Sequence, residues 1–522
     1  MLKNKKSDNK ASIEISPDNL DIDVKNNILN ICLLDLDQIY KNNVNNDFKQ
    51  EFKNNLIVYL KLDNYQVPPY DIKNFNEYFI KYKDKIMTHR AFKIDPYMFP
   101  LFLLVFSIRD GSYDARNAVL IQNIIQYLKL NDIIFEKYED KMIDLIIYFK
   151  KDSNSSKRFK TSKMKKYLKI GAASILGGTL LGLTGGLIAA PFLAVSAGAL
   201  VGSAWLTTTL GTAAGAGAVG SAFALTGAAL TGYKMNKRAG DINEFSFQKL
   251  KTMGSGKRSF LRGQRSLKVT LSISGWISKD CDFATPWTDL RLTAEAYTLR
   301  WEGKFLKDFG QGVGYVANWA TGQIAQEVLK ETALAGVLSA IAWPLTLLSL
   351  GRVIDNPWAV AFTRSKPVGR ELANVLADRI AGNRPVNLIA FGLGCRVIYH
   401  AINNLAKVPN ESNRGIIQDV ILMGAPIPAN DDKLYTSWME SIVAGKLINC
   451  FCQKDWILKF LYRTASAQNK IAGLEPIKRV NPRIYNINLS DIVEGHNDYI
   501  RKMPMILKTL GYNASNFEEI NE

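Results

Sequence analysis

The residues of this chain whose types and order point to chemistry are Gly392, Asp455 and His496. Gly392 lies within Asn387 to His400, NLIAFGLGCRVIYH, which reads as a buried strand, a glycine turn and the start of a helix. That is the layout of a nucleophile elbow, where a serine normally occupies the tip of a sharp strand-to-helix turn. Here the tip is Gly392. Asp455 follows an apolar segment in QKDWIL, and His496 follows another in GHNDY. A serine hydrolase needs an Oγ held against a histidine to form its acyl intermediate, and glycine supplies no such atom. An Asp455–His496 pair could still act as a general base on water. Loss of a triad member leaves only about 10³ to 10⁴ over the uncatalysed reaction. Glycine also accepts positive φ without cost, which relieves the strain of an elbow.

The elements that must position these residues are strands alternating with helices. Strands are predicted at Leu267 to Ser274, Tyr297 to Trp301, Pro385 to Phe391, Ile416 to Met423, Lys446 to Cys452 and Arg483 to Leu489. Helices are predicted at Arg364 to Ile380, Leu393 to Leu405, Ala429 to Val443, Ile457 to Ala467 and Asn497 to Leu510. Near-continuous apolar strands between helices predict a mostly parallel sheet covered on both faces, hence an α/β fold. Function in such sheets lies beyond the carboxyl ends of strands. Those ends give Gly392, then Asp455, then His496, the α/β-hydrolase order of nucleophile, acid and histidine. Ser274, Gly275 and Trp276 end the first strand and, with Leu393 and Gly394, make the candidate oxyanion and elbow region. Ser274 is read as a loop-shaping hydroxyl rather than a nucleophile. Cys395, on the first turn of the elbow helix, is read as a buried small thiol, and His400 as packing on that helix. Trp276 and Trp456 either line a lipid-accepting cleft or fill the core.

The chain has 522 residues, 47% hydrophobic and 10% aromatic, enough for two or three domains. A net charge of +18 suits an acidic partner, either nucleic acid or an anionic membrane. Five scattered cysteines and three histidines form no zinc-type pattern, so reduced thiols, no metal and no cofactor are expected. Residues 1–25 are Asn/Lys/Asp-rich and read as disordered, without the apolar core of a signal peptide. A helical domain is expected over 26–152 and a basic linker over 153–169. Ile170 to Gly232 then contains no Asp, Glu, Lys or Arg across 63 residues. A bilayer span needs about 20 apolar residues. The block is rich in small-xxx-small spacings such as Gly178, Gly182 and Gly186. A transmembrane helical hairpin is expected, two spans rather than three, with its basic flanks on the cytosolic side. The competing reading is a Gly/Ala-rich buried hairpin, which the polar Thr207 to Thr209 would suit. Acceptance of the hairpin makes the lysine run a juxtamembrane segment for anionic lipid rather than a nucleic-acid patch. A linker over 233–266, the α/β domain over 267–512 and a tail over 513–522 complete the chain. Within it, Ala333 to Leu350 reads as a buried or surface-leaning helix.

The stretch from about 250 to 512 resembles the DUF726 family of transmembrane and coiled-coil domain proteins. The likeness is carried by LSISGW, LRWEGK, AWPLTLL with DNPWAVA, RPVNLIAFGLGCRVIYH, VILMGAP, KDWILKFLYRT, IAGLEP and GHNDY. The helical region matches only around Tyr113-Asp114-Ala115-Arg116. The resemblance implies a membrane-anchored α/β-hydrolase fold, lipase-like or of unknown activity. The family elbow reads G-x-S-L-G-A-R-V-I. In this chain Leu393, Gly394, Arg396, Val397 and Ile398 match it, while Ala390, Gly392 and Cys395 depart from it, and Gly392 takes the place of the nucleophile.

Three functions follow as alternatives. The first is a catalytically degenerate hydrolase-fold protein that binds lipid or protein partners at a membrane. The second is an active lipase or esterase using an atypical nucleophile or water activated by Asp455 and His496. The third is a membrane-shaping or trafficking factor.

Overall fold

The computed structural model describes residues 16–62, 65–136, 226–233, 242–250, 266–288, 295–321, 357–408, 410–459 and 470–511, with isolated positions between them. It divides into two compact units, Met1–Ala224 with Phe517–Glu522, and Leu225–Asn516. Apart from Thr226–Gly232, a short helix, the uncharged block 170–232 lies outside the described residues, as does the apolar stretch 333–350. No helix among the described residues is long and apolar enough to cross a membrane.

The first unit contains helices α1 (Ile22–Ile39), α2 (Asn46–Leu60), α3 (Phe75–Ile86), α4 (Arg90–Ile94), α5 (Met98–Ile108) and α6 (Ala115–Tyr127). Ile28 to Leu36 of α1 and most of α5 are buried on every side, which is the signature of central rather than surface helices. The Tyr113 to Arg116 motif acquires a structural explanation. Asp114 caps α6 by accepting the Arg116 N–H at 2.7 Å and also binds that arginine's guanidinium. The guanidinium lies over the Phe48 ring, 3.9 Å from its centroid, and so ties α6 to α2.

The second unit is an α/β layer structure around a seven-stranded sheet. Its strands are β1 (Phe245–Lys249), β2 (Val269–Ile273), β3 (Glu295–Trp301), β4 (Val386–Phe391), β5 (Ile417–Met423), β6 (Leu447–Phe451) and β7 (Ile484–Asn488). Their order is β1-β3-β2-β4-β5-β6-β7, parallel throughout except for antiparallel β1 against β3. Every residue of β5 and β6 is buried, as a sheet covered on both faces requires. From β2 the chain steps to β3, then returns across to β4 and continues outward to β7. The order therefore reverses between β2 and β4, and that switch point opens a crevice at their carboxyl ends.

All six expected strands are present, within one to two residues of the expected limits. Strand β1 is additional, and its alternating Phe245 and Phe247, both buried, are the signal for it. The helix before β4, α7 (Pro357–Ala377), starts earlier than Arg364, at a proline suited to a first helical turn. Helix α8 (Leu393–Lys407) follows the elbow. The expected Ala429 to Val443 helix is α9 (Asp432–Ser437) running into a π turn at Trp438–Ile442. The last helix is broken into α10 (Asp498–Arg501) and α11 (Met503–Thr509), because Pro504 lacks the N–H needed to continue.

At the amino end of the sheet a buried charge hub joins three strands. The Arg384 guanidinium, wholly buried before β4, donates to Glu295 Oε2 at 2.6 Å and to the carbonyls of Ala381 and Ser266. Glu295, the first residue of β3, also accepts from Tyr297 and Lys249. Burial alone would raise the Glu295 carboxyl, but Arg384 and these two donors hold it below its ordinary range. Arg384→Ala would strip Oε2 of that carboxylate of its buried partner and leave only Lys249 and Tyr297 on Oε1, so it is expected to cost about 3 kcal/mol of unfolding free energy, read by denaturant titration.

In the helical unit, Asp35 is fully buried. Burial, weakly opposed by the amide of Asn123, pushes its carboxyl up to about 8. The unfolded chain ionises it near pH 4. Its contribution to stability is therefore complete below about pH 4 and is lost as pH rises towards 8. Asp35→Asn is expected to flatten this loss, with a higher melting temperature than the parent chain at pH 8 and little difference at pH 4.5, read by thermal denaturation across that range.

Candidate functional site

The site begins with the turn at the end of β4. Gly392 adopts φ 54° and ψ −129°, a conformation that side chains other than glycine's enter only under strain. Its N–H donates to the Met423 carbonyl at 2.9 Å, and its own carbonyl accepts from the Cys395 N–H at 3.0 Å, launching α8. The end of β2 presses directly on this turn. A Cβ on Gly275 would fall 2.2 Å from the Phe391 carbonyl oxygen, and one on Gly394 would fall 2.2 Å from the Ile273 carbonyl oxygen. Only glycines let the two backbones come this close.

The carboxyl ends of β6 and β7 bring up the other two residues. Asp455 is wholly buried and accepts the Leu458 N–H at 2.9 Å through Oδ1. Its Oδ2 lies 2.7 Å from Nδ1 of His496, which is wholly buried as well. The loop carrying His496 is fixed by Asp498, which accepts from the Glu494 N–H, Arg501 and Lys502. The imidazole is flanked by the rings of Tyr499 and Phe309, with centroids 5.8 and 6.4 Å away. The Nδ1 contact with Asp455 leaves Nε2 as the ring nitrogen turned towards residue 392. Nε2 is buried and has no hydrogen-bond partner among the described residues. It lies 3.4 Å from the point where a Cβ on residue 392 would stand. The three positions read from strand order thus converge, and the imidazole faces the place a nucleophile would occupy.

The remaining candidates separate clearly. Ser274 is buried; its Oγ accepts the Trp287 indole N–H at 3.1 Å, and its carbonyl accepts that of Trp301 at 3.1 Å. These bonds tie the Ser274 loop to Trp287 and Trp301. Trp276 is buried edge-on to Phe391, with an indole N–H that has no partner, whereas Trp456 is partly exposed. The Cys395 thiol is buried 3.3 Å from the Ala390 carbonyl, and burial raises it well above its ordinary range, which disfavours the thiolate. Burial, then the charges of Arg396, Lys366, Lys407 and Arg370, push the His400 imidazole down to about 3. It stays neutral on the helix face. Sequence reasoning missed Phe309, Tyr499 and Asp498. Asp498 and Tyr499 lie within GHNDY itself, which was their only signal.

Residues 162–513 match a family described as "Protein of unknown function (DUF726)". The chain is 41% identical over 422 residues to "Uncharacterized membrane protein F35D11.3" of Caenorhabditis elegans, a match covering 78% of this chain and 65% of that protein. It is 35% identical over 424 residues to "Transmembrane and coiled-coil domain-containing protein STS1" of Oryza sativa subsp. japonica, covering 77% of this chain and 61% of the relative. It is 29% identical over 460 residues to "Probable lipase MIL1" of Saccharomyces cerevisiae, covering 85% and 41% respectively. The chain thus spans less than two thirds of the length of these three relatives. No solved structure matches it.

The buried Asp455–His496 hydrogen bond makes its own prediction. Asp455→Ala leaves the Nδ1–H unpaired and is expected to cost about 1–3 kcal/mol of unfolding free energy. It should also abolish an exchange-protected, far-downfield imidazole proton in the NMR spectrum of the parent chain.

Proposed function

We propose that this chain, which belongs to the DUF726 family, is a membrane-associated protein of α/β-hydrolase architecture whose catalytic site is degenerate and serves binding. One observation carries this reading. The backbone at Gly392 holds an elbow conformation, and the His496 Nε2 faces residue 392, which bears no side chain. Strand order supports the architecture, with the elbow after β4, the acid after β6 and the histidine after β7. The names of the relatives support the setting, since two are called membrane or transmembrane proteins and one a probable lipase. In this reading the uncharged block 170–232 is the membrane segment, and its basic flanks meet anionic lipid on the cytosolic side. Lipids and proteins are the proposed partners, and nucleic acid is not among them.

The intact Asp455–His496 pair favours a second reading, in which the imidazole activates a water for direct ester hydrolysis. Gly392→Ser distinguishes the two. Restoring the hydroxyl is expected to raise short-ester hydrolysis on the order of 10²-fold or more and to confer labelling by a fluorophosphonate. His496→Ala in that background should abolish both. Ester hydrolysis by the parent chain that disappears in His496→Ala would overturn the degenerate reading in favour of the second.

A further inference from the structure

Glu302, in LRWEGK at the end of β3, is buried and holds φ 44°. Side chains other than glycine's enter that region only under strain, and such strain persists only where the surroundings impose it. Here they do. Its N–H donates to the Glu244 carbonyl at 3.2 Å. Its carboxylate accepts the Asn243 N–H at 2.7 Å and that residue's side-chain amide at 3.3 Å, and Arg364 of α7 lies 3.6 Å away. The next N–H, of Gly303, donates to the Glu244 carboxylate at 2.9 Å. A glycine would enter the same turn freely but would bring no carboxylate. The strained residue therefore stands there for its side chain.

The turn launches a helix, Gly303–Thr321, opened by the bond from the Leu306 N–H to the Glu302 carbonyl at 3.1 Å. Leu306, Phe309 and Gly310 share one face of it, at i, i+3 and i+4. That face lies against the carboxyl end of the sheet. The Leu306 carbonyl accepts the Ile277 N–H at 3.3 Å, and a Cβ on Gly310 would fall 2.1 Å from the Ile277 carbonyl oxygen. Phe309, between them, packs on Trp358 of α7, with ring centroids 5.2 Å apart, and reaches the His496 imidazole. Starting the helix one residue earlier or later would turn this face away by about 100°. Resting on the reading of Gly392, Asp455 and His496 as the working site, we infer that Glu302 is its positioning residue. Its carboxylate locks the turn, and the turn sets the rotation of the helix. The helix in turn holds both the His496 ring and the loop after β2. Glu302 acts through Phe309 and Leu306, and no bond is made or broken.

The test compares Glu302→Ala, Glu302→Gly and Glu302→Gln in the purified full-length chain in detergent, each also in the Gly392→Ser background. The chain has three histidines, so isotope-labelled histidine reports the His496 ring by NMR. The rate of fluorophosphonate labelling reports the site in the Gly392→Ser background, and thermal denaturation reports the fold. Glu302→Ala and Glu302→Gly are expected to move the His496 ring signals and to slow labelling on the order of tenfold or more, as misplacement of a reacting group does. Glu302→Gln keeps an oxygen for the Asn243 N–H and is expected to restore both towards the parent values. Glu302→Gly also removes the strain, so it tests the carboxylate even where Glu302→Ala does not fold. Lower melting temperatures with unmoved His496 signals and unchanged labelling would make Glu302 a merely structural residue and overturn the inference. Parent-like behaviour of Glu302→Gly, or Glu302→Gln no better than Glu302→Ala, would overturn it too. If Gly392→Ser is never labelled, the reading of the working site fails, while the histidine signals still decide the role of Glu302.

Discussion

The architecture of the second unit turns on a backbone contact with no side chains in it. The end of β2 rests against the turn after β4, and Gly275 and Gly394 meet opposing carbonyls at distances no Cβ could share. That contact holds the tip of the elbow beside the loop that follows β2, at the point where strand order reverses. The loops after β6 and β7 then need only reach inwards for Asp455 and His496 to complete the arrangement. The histidine faces residue 392 because the turn is held where it is, independently of what the residue at its tip can do.

The two ends of the sheet are secured by opposite means. At the amino ends of β2, β3 and β4 the fastening is charge, with Arg384 holding Glu295 and the Ser266 carbonyl in a dry interior. At the carboxyl ends it is close approach of bare backbone, with the polar groups turned inwards. The first end has every hydrogen-bonding atom of its arginine and glutamate engaged, whereas the second leaves the Nε2 of His496 and the indole N–H of Trp276 unanswered. Interiors rarely leave such atoms unpaired unless something outside the chain is to meet them.

Much of this was legible in the amino-acid sequence because strand order and periodicity are local signals. Apolar runs marked the six parallel strands, and reading the residues after β4, β6 and β7 named Gly392, Asp455 and His496 before any contact was known. What escaped was whatever depends on contacts between distant segments. Strand β1 is only five residues long and pairs at an edge, so its alternating phenylalanines were too short a pattern to stand out. Phe309 reaches His496 across more than 180 positions of sequence, which no spacing rule encodes. Asp35 sits in LLDLDQ, where an acid reads as a solvent-facing residue, and only the packing of α1 at the centre of its unit shows that it is buried. The small-xxx-small block from 170 to 225 lies outside the described residues, so the expected hairpin rests on composition alone.

The order in which the strands lie side by side also sets when the site can come into being. Val269 of β2 pairs with Val386 of β4, more than a hundred residues later in the chain. Closing so long a loop costs entropy before any contact repays it, and sheets rich in such distant pairings fold slowly. During synthesis, β2 and β3 must wait with one flank of β2 unpaired until β4 emerges, an exposed edge of the kind that invites mispairing. The elbow is consequently a late product of folding. A chain interrupted between β3 and β4 would hold three of the seven strands and none of Gly392, Asp455 and His496.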